Sequence, residues 1–401
     1  MTAKTRRHAA QVGLAIAATL LIWRCSFLAD EASGREKVLG QDKIFAFCYV
    51  GYDPKKLRSA TLVFADPSEW KYWQDRGIIP AVGQTWFALL NPHGREDGKP
   101  IWSLEKAVEV LVKRDYCGNP NPVVCIDEFG FDFGGETDQK TAEVLAETKR
   151  RKPELGIAVW QMRGPIPKVL AEAYRKFVDL VMMECYVGDK KNYWWIATQV
   201  HVARMHGLIK KSIVYLGLWQ EWARTKEELE QQIRFVRLIA PESPGIGFFA
   251  PDAPHELIAY ADELCSRFDQ IPKDGSGLPK DLMELHQIFT ERHKKPTLVC
   301  SPLWAEPNRS RADPNVLVEP KTMRVYLLNL GETDAKDVRL RLRNPKEKGG
   351  DVFAEGMVSV IPKRYEAVAA LPVIGEWKVW KTWELEVEAK GCEVLKFAFA
   401  K

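Results

Sequence analysis

At 401 residues, with 46% hydrophobic and 28% charged residues, the chain can hold a domain of about 250 residues and a smaller second one, and its composition argues against disorder. A net charge of +4, drawn from 58 basic and 54 acidic residues without a dominant basic block, leaves no electrostatic footprint for nucleic acid. The seven His form no HxH pair and the eight Cys no CxxC pair, so neither a catalytic zinc nor a metal-thiolate cluster is expected.

Lys4, Arg6 and Arg7 precede an apolar run from Ala9 to Trp23, the order of an export signal and too short to span comfortably as an anchor. Residues 1–36 are therefore expected to be signal peptide and leader. The mature protein would be periplasmic or extracellular, with no stable membrane insertion once the signal is removed. From Lys43 onward, short apolar runs alternate with longer helical patterns. The runs are Ile44 to Val50, Ala60 to Ala65, Gly77 to Val82, Val123 to Ile126, Gly156 to Met162, Asp179 to Tyr186, Ser212 to Leu218 and Gly245 to Ala250. Helical stretches between them open on capping residues: Ser103, then Thr137 or Asp138, then Thr225 with Glu228 three residues later. The first link, DPKKLRS, is too short for a regular helix. Continuous Val/Ile runs are the habit of strands covered on both faces. Eight such units, lacking the glycine-rich phosphate fingerprint of a doubly wound sheet, fit an α/β fold of the (β/α)8 TIM barrel type over residues 37–268, with no cofactor.

After Phe268 the texture changes. Pro272, Gly275, Gly277 and Pro279 mark a break, a helix follows around Asp281 to Arg292, and residues 269–315 read as linker and helix. Over 316–401 the pattern turns to period two in RVYLLNLG, DVRLRLRNP and WELEVEAKGCEVLKFAF, which predicts a small antiparallel β-sandwich without catalytic residues. The segment NLGETDAKDVRLRL resembles the repeat strand pair of bacterial immunoglobulin-like adhesion modules.

The stretch NPVVCIDEFGFDFGG, Asn121 to Gly135, organises the barrel. An apolar strand ends in Asp127 and Glu128 and passes into a glycine-punctuated loop with Asp132. In barrels the chemistry gathers at the carboxyl ends of the strands, so acids there are placed for reaction rather than packing. The other residues expected at that mouth are Tyr49, Tyr52, Asp66, Gln84, Trp86, Trp160, Gln161, Glu184, Tyr186, Trp219, Glu221 and Asp252. Glu184 interrupts VMMECY at a strand interior, where a carboxylate without a partner or a task is costly. A structural ion pair with Arg163 is the alternative. By alternation Met182, Glu184 and Tyr186 share a direction. Among the fourteen Trp, Trp86, Trp160 and Trp219 are expected at the rim, where indole faces stack on sugar rings.

Two carboxyl groups amid Trp and Tyr are the apparatus of glycoside cleavage: one protonates the leaving oxygen, the other attacks or activates water. Glu184 is one candidate and Asp127 or Glu128 the other. Alternation lets only one of the latter two face the mouth if the strand stays regular, and Glu128 is favoured as general acid for its longer arm. The other acid, with Asp132, would orient it. Strand four ending in IDEFGFD and strand six ending in MMECY resemble barrel glycoside hydrolases, especially the chitinase-like group. That resemblance, over about residues 40–268, implies a carbohydrate substrate. The sequence has Asp127, Glu128 and Asp132 in place of that group's full acidic run, and Cys185 with Tyr186 where the group has Tyr-Asp. A non-catalytic carbohydrate-binding barrel is the competing reading.

Overall fold

The computed structural model describes residues 37–49, 54–65, 67–85, 103–116, 119, 121–129, 136–161, 166–218, 222, 223, 225–251, 253–300, 305–307, 321–346, 349–375 and 383–397. Met1–Asp42 and Lys43–Lys401 are two compact units. Of the first, the described part is a tight turn in which Val38 and Gln41 exchange backbone hydrogen bonds of 3.0 and 2.9 Å. The expected signal peptide lies outside the described residues.

In the second unit, eight strands pair in parallel, in chain order, and close into a barrel. They are β1 (Ile44–Tyr49), β2 (Leu62–Phe64), β3 (Ile79–Thr85), β4 (Val123–Phe129), β5 (Gly156–Gln161), β6 (Leu180–Glu184), β7 (Ser212–Gly217) and β8 (Gly245–Ala250). Closure is made by β1 on β8, in register from Ile44 opposite Gly245 to Tyr49 opposite Ala250. Every expected strand is present, β2 shorter than its apolar run and β3 reaching further, to Thr85.

The helices are α1 (Trp70–Gln74), α2 (Leu104–Lys113), α3 (Glu136–Arg151), α4 (Lys168–Phe177), α5 (Tyr193–Met205), α6 (Lys226–Ile239), α7 (His255–Ser266) and α8 (Lys280–Thr290). Ser103 caps α2 by accepting from the Lys106 amide at 3.2 Å. Thr225 and Glu228 close a reciprocal capping box on α6. α3 opens at Glu136, so Thr137 and Asp138 lie within its first turn instead of capping it. Among the described residues of the first link there is a short 3-10 turn, Pro54–Lys56. None of the described helices is long and apolar enough to cross a membrane.

Beyond α8 come β9 (Thr297–Cys300), β10 (Ala305–Pro307), β11 (Thr322–Asn329), β12 (Ala335–Arg343), β13 (Val352–Ile361), β14 (Tyr365–Pro372), β15 (Glu384–Glu388) and β16 (Glu393–Lys396). One sheet runs β10-β11-β9-β16 with β14 also on β11, and the other runs β13-β12-β15. The sandwich is antiparallel as expected, with one parallel pair where β16 lies beside β9. β13 escaped the period-two pattern because Met357 and Val360 add apolar residues on its solvent side, 61% and 45% exposed. β11 is buried on both faces. Met323, Val325 and Leu327 enter the sandwich core, while Tyr326 and Leu328 join the apolar layer of the barrel helices. Trp194 of α5 stacks on Phe397 at 5.3 Å, and Phe289 of α8 meets the same ring.

Candidate active site

The direction of each barrel side chain follows from which apolar cluster it joins. Ile126, Val159, Met183, Val214 and Leu216 belong to the layer beneath the helices. Their neighbours Cys125, Trp160, Met182 and Tyr215 are buried but stand apart from that layer, inside the barrel. Alternation then carries Cys48, Asp127 and Glu184 along the inward rows of β1, β4 and β6 to their carboxyl ends. β4 is irregular at this point: Ile126 pairs with Val159 and Phe129 with Gln161, so three steps of β4 match two of β5. The extra residue is a bulge, a device that re-aims side chains at barrel rims. Asp127 keeps its register with Thr85 of β3, and strict alternation, which would let a single acid of Asp127 and Glu128 face inward, ends beyond it.

Aromatic rings fill the barrel under the acids. Trp160 stacks on Phe64 of β2 at 4.4 Å and 12°, and meets the Tyr215 edge at 5.5 Å and 80°. The Tyr215 ring occupies the space a side chain at position 247 would need, since a Cβ on Gly247 would lie 2.1 Å from it. Above, Tyr186 is stacked with Trp222 at 4.8 Å and with Phe249 at 5.4 Å. Gly217 gives Trp222 its room in the same way, a Cβ there falling 2.1 Å from the indole.

Electrostatics tie these groups into one space. Burial, then the charges of Glu184, Cys48 and Asp127, push the Tyr186 phenol far above its ordinary value. Burial and then the neighbouring Asp127 push the Cys48 thiol up to about 12. The Cys125 thiol is raised by burial, Cys48 and Asp127, and the Tyr215 phenol by burial, Cys48, Tyr186, Cys125 and Glu184. At neutral pH the mouth thus holds neutral thiols and phenols beside two carboxyl groups, donors facing acceptors.

Of the residues expected here, Asp127, Glu184, Tyr186 and Trp160 come together. Trp160 is 7% exposed and floors the mouth instead of standing at its rim. Gln161 is not brought to the mouth. It lies on the opposite row of β5, and its Oε1 accepts from the Tyr174 hydroxyl of α4 at 2.7 Å, because alternation sends every second residue of the strand to the helix layer. Tyr49, Gln84 and Glu128 lie in β1, β3 and β4, their side chains outside the described residues. Tyr52, Asp66, Trp86, Asp132, Arg163, Trp219, Glu221 and Asp252 lie outside the described residues altogether. Sequence reasoning passed over Cys48, Phe64, Tyr215, Trp222 and Phe249. Tyr215 had a signal, a phenol within SIVYLGL two residues before an inward glycine.

The chain has distant likenesses among solved structures. The chain is similar to active domain 2 of a thermostable chitinase from Pyrococcus furiosus, at 12% identity over 57% of this chain and 95% of that one, with a TM-score of 0.40. It is similar to a family GH18 chitinase from Chromobacterium violaceum at 9% identity, over 89% and 92% of the two chains, with a TM-score of 0.39. It is also similar to a β-glucuronidase from Bacteroides uniformis at 10% identity, covering 89% of this chain but 47% of that one, with a TM-score of 0.37. No family model and no curated protein sequence matches.

Proposed function

We propose that the chain is an exported glycoside hydrolase that cleaves a polysaccharide or oligosaccharide with two carboxyl groups at the C-terminal face of its barrel. The observation that supports the reading is that Asp127 of β4 and Glu184 of β6 end the inward rows of their strands at one mouth, where the rings of Trp160, Tyr215 and the half-buried Tyr186 gather. Two strands apart across a sheet is about 10 Å between backbones, and inward side chains close part of that gap, which suits a bond held between two acids. In this reading Glu184 and an acid of β4, Asp127 or Glu128, divide the roles of proton donor and of nucleophile or water activator. Glu128 is the preferred donor for its reach, with Asp132 orienting the pair. Tyr186 and Trp160 line the sugar site, together with Tyr49, Gln84, Trp86, Trp219, Glu221 and Asp252. Residues 316–401 serve as an immunoglobulin-like accessory module without catalytic residues.

Release of reducing sugar from a polysaccharide panel, with and without chelator, tests the reaction class. Glu184→Gln should lower turnover by about 10²- to 10⁴-fold, the range of positioned acid–base groups, while leaving the fold intact. Asp127→Asn and Glu128→Gln then separate the two β4 acids. If Glu184→Gln keeps most of its turnover, the pairing is wrong. Saturable sugar binding by the wild type with no product would point to the binding-barrel reading instead.

A further inference from the structure

Tyr215 is fully buried on the inward row of β7. Its hydroxyl meets no hydrogen-bond partner among the described residues. A donor left unmet in the interior costs stability, so a buried phenol at this place calls for a task. Its position names the task. Tyr215 is the register partner of Glu184 across β6 and β7, and the next amide of β6, that of Cys185, donates to the Tyr215 carbonyl at 2.9 Å. Register partners on adjacent strands stand about 5 Å apart with side chains on the same face, here the barrel interior. The ring meets Trp160 edge to face, and on the side away from β6 it fills the space over the bare backbone of Gly247.

Resting on the reading of Glu184 as one of the two reacting acids, we propose that Tyr215 is its positioning residue: the phenol O–H is the hydrogen-bond donor that receives the Glu184 carboxylate whenever that group carries its charge during turnover. In either role Glu184 passes between a charged and an uncharged form, and a fixed neutral donor selectively favours the charged one. The other titratable groups around the phenol are Cys48 on β1, Cys125 on β4 and Tyr186 beyond β6, all pushed upward and hence neutral, with Asp127 of β4 acting on Cys48, Cys125 and Tyr186. Among the described residues, Glu184 is the carboxylate that acts on the Tyr215 phenol.

Tyr215→Phe keeps the ring against Trp160 and Gly247 and removes only the hydroxyl. The expected result is kcat lower by about ten- to a hundredfold, the worth of one donor to a charged group, with KM within about threefold and Tm unchanged or higher. The limb of the pH–rate profile that reports Glu184 should move to higher pH, because the charged form has lost its donor. A structural hydroxyl would lower Tm and leave the profile in place. The side-chain carboxyl carbon of Glu184, followed by NMR in 13C-Glu-labelled protein with Glu184→Gln as the assignment control, gives a readout that needs no turnover. Its titration should shift upward in Tyr215→Phe and return in a variant carrying 3-fluorotyrosine at 215. An unchanged Glu184 titration, or an unchanged kcat in an active enzyme, overturns the proposal. If the wild type hydrolyses no glycoside, the assignment of function fails on its own, and the titration still decides the role of Tyr215.

Discussion

Two buried tyrosines beside glutamates make opposite use of the same pair of side chains. Where β14 meets the barrel, Glu366 accepts from the Tyr326 hydroxyl and from the Ile166 amide at 3.0 Å, and lies 3.1 Å from His206 Nε2. One residue from the sandwich thus ties together β11, the approach to α4 and the end of α5, and the polar groups it buries are met within the protein. In the mouth, Tyr215 stands beside Glu184 and its hydroxyl has no partner among the described residues. The tyrosine whose hydroxyl is met belongs to a fastening, and the one whose hydroxyl is unmet stands beside a candidate reacting acid. The difference teaches that a buried acid announces function through the unmet groups around it, since Glu366 is the more buried of the two glutamates.

The comparison breaks first at the fastening. Glu366→Ala should cost about 3–5 kcal/mol, as it strands the Tyr326 hydroxyl and the Ile166 amide in the interior, and urea denaturation should show the loss as a lower midpoint. A midpoint within error of the wild type would mean that water meets these groups and the fastening is idle. The floor ring sharpens the contrast from the other side. Trp160→Ala should also cost about 3–5 kcal/mol, because the indole is packed between Phe64 and Tyr215 and its removal opens a cavity. A variant that instead kept its stability and lost sugar binding alone would return Trp160 to the rim.

A third test concerns pH and the junction alone. His201 of α5 is held against Phe289, and burial, then Arg204 and Arg364, lower it from its ordinary 6.5 to about 4. Between those values the unfolded chain binds the proton and the folded one does not, so stability rises with pH through this window. It is lost as pH falls from about 6.5 to about 4, by an amount of order 3 kcal/mol. Denaturation midpoints measured across that range should show the slope, and His201→Leu should flatten it. An equal slope in the variant would assign the effect to other groups.

The barrel was legible because its strands are continuous apolar runs with capped helices between them, and local pattern is enough to mark such elements. Ser103 and Thr225 cap as their spacing implies. β13 was hidden because apolar residues on its solvent side erase the alternation. β16 shows the same limit in another form: period two marks a strand but carries no information on whether its partner runs parallel or antiparallel.

For the site, the sequence by itself determined the types and approximate heights of Asp127, Glu184 and Tyr186, since a polar residue at the end of an apolar strand is visible in one dimension. It also determined that Trp160 lies on a strand. Tertiary structure alone decided that Trp160 floors the mouth, that Gln161 faces α4, and that Tyr215 stands beside Glu184. Those outcomes depend on register between strands and on the bulge in β4, which breaks the alternation on which a choice between Asp127 and Glu128 would rest. The physical reason is that a strand's pattern records only that its residues alternate. Which neighbour each side chain meets is set by hydrogen bonds to other strands, and those are formed only when the barrel closes.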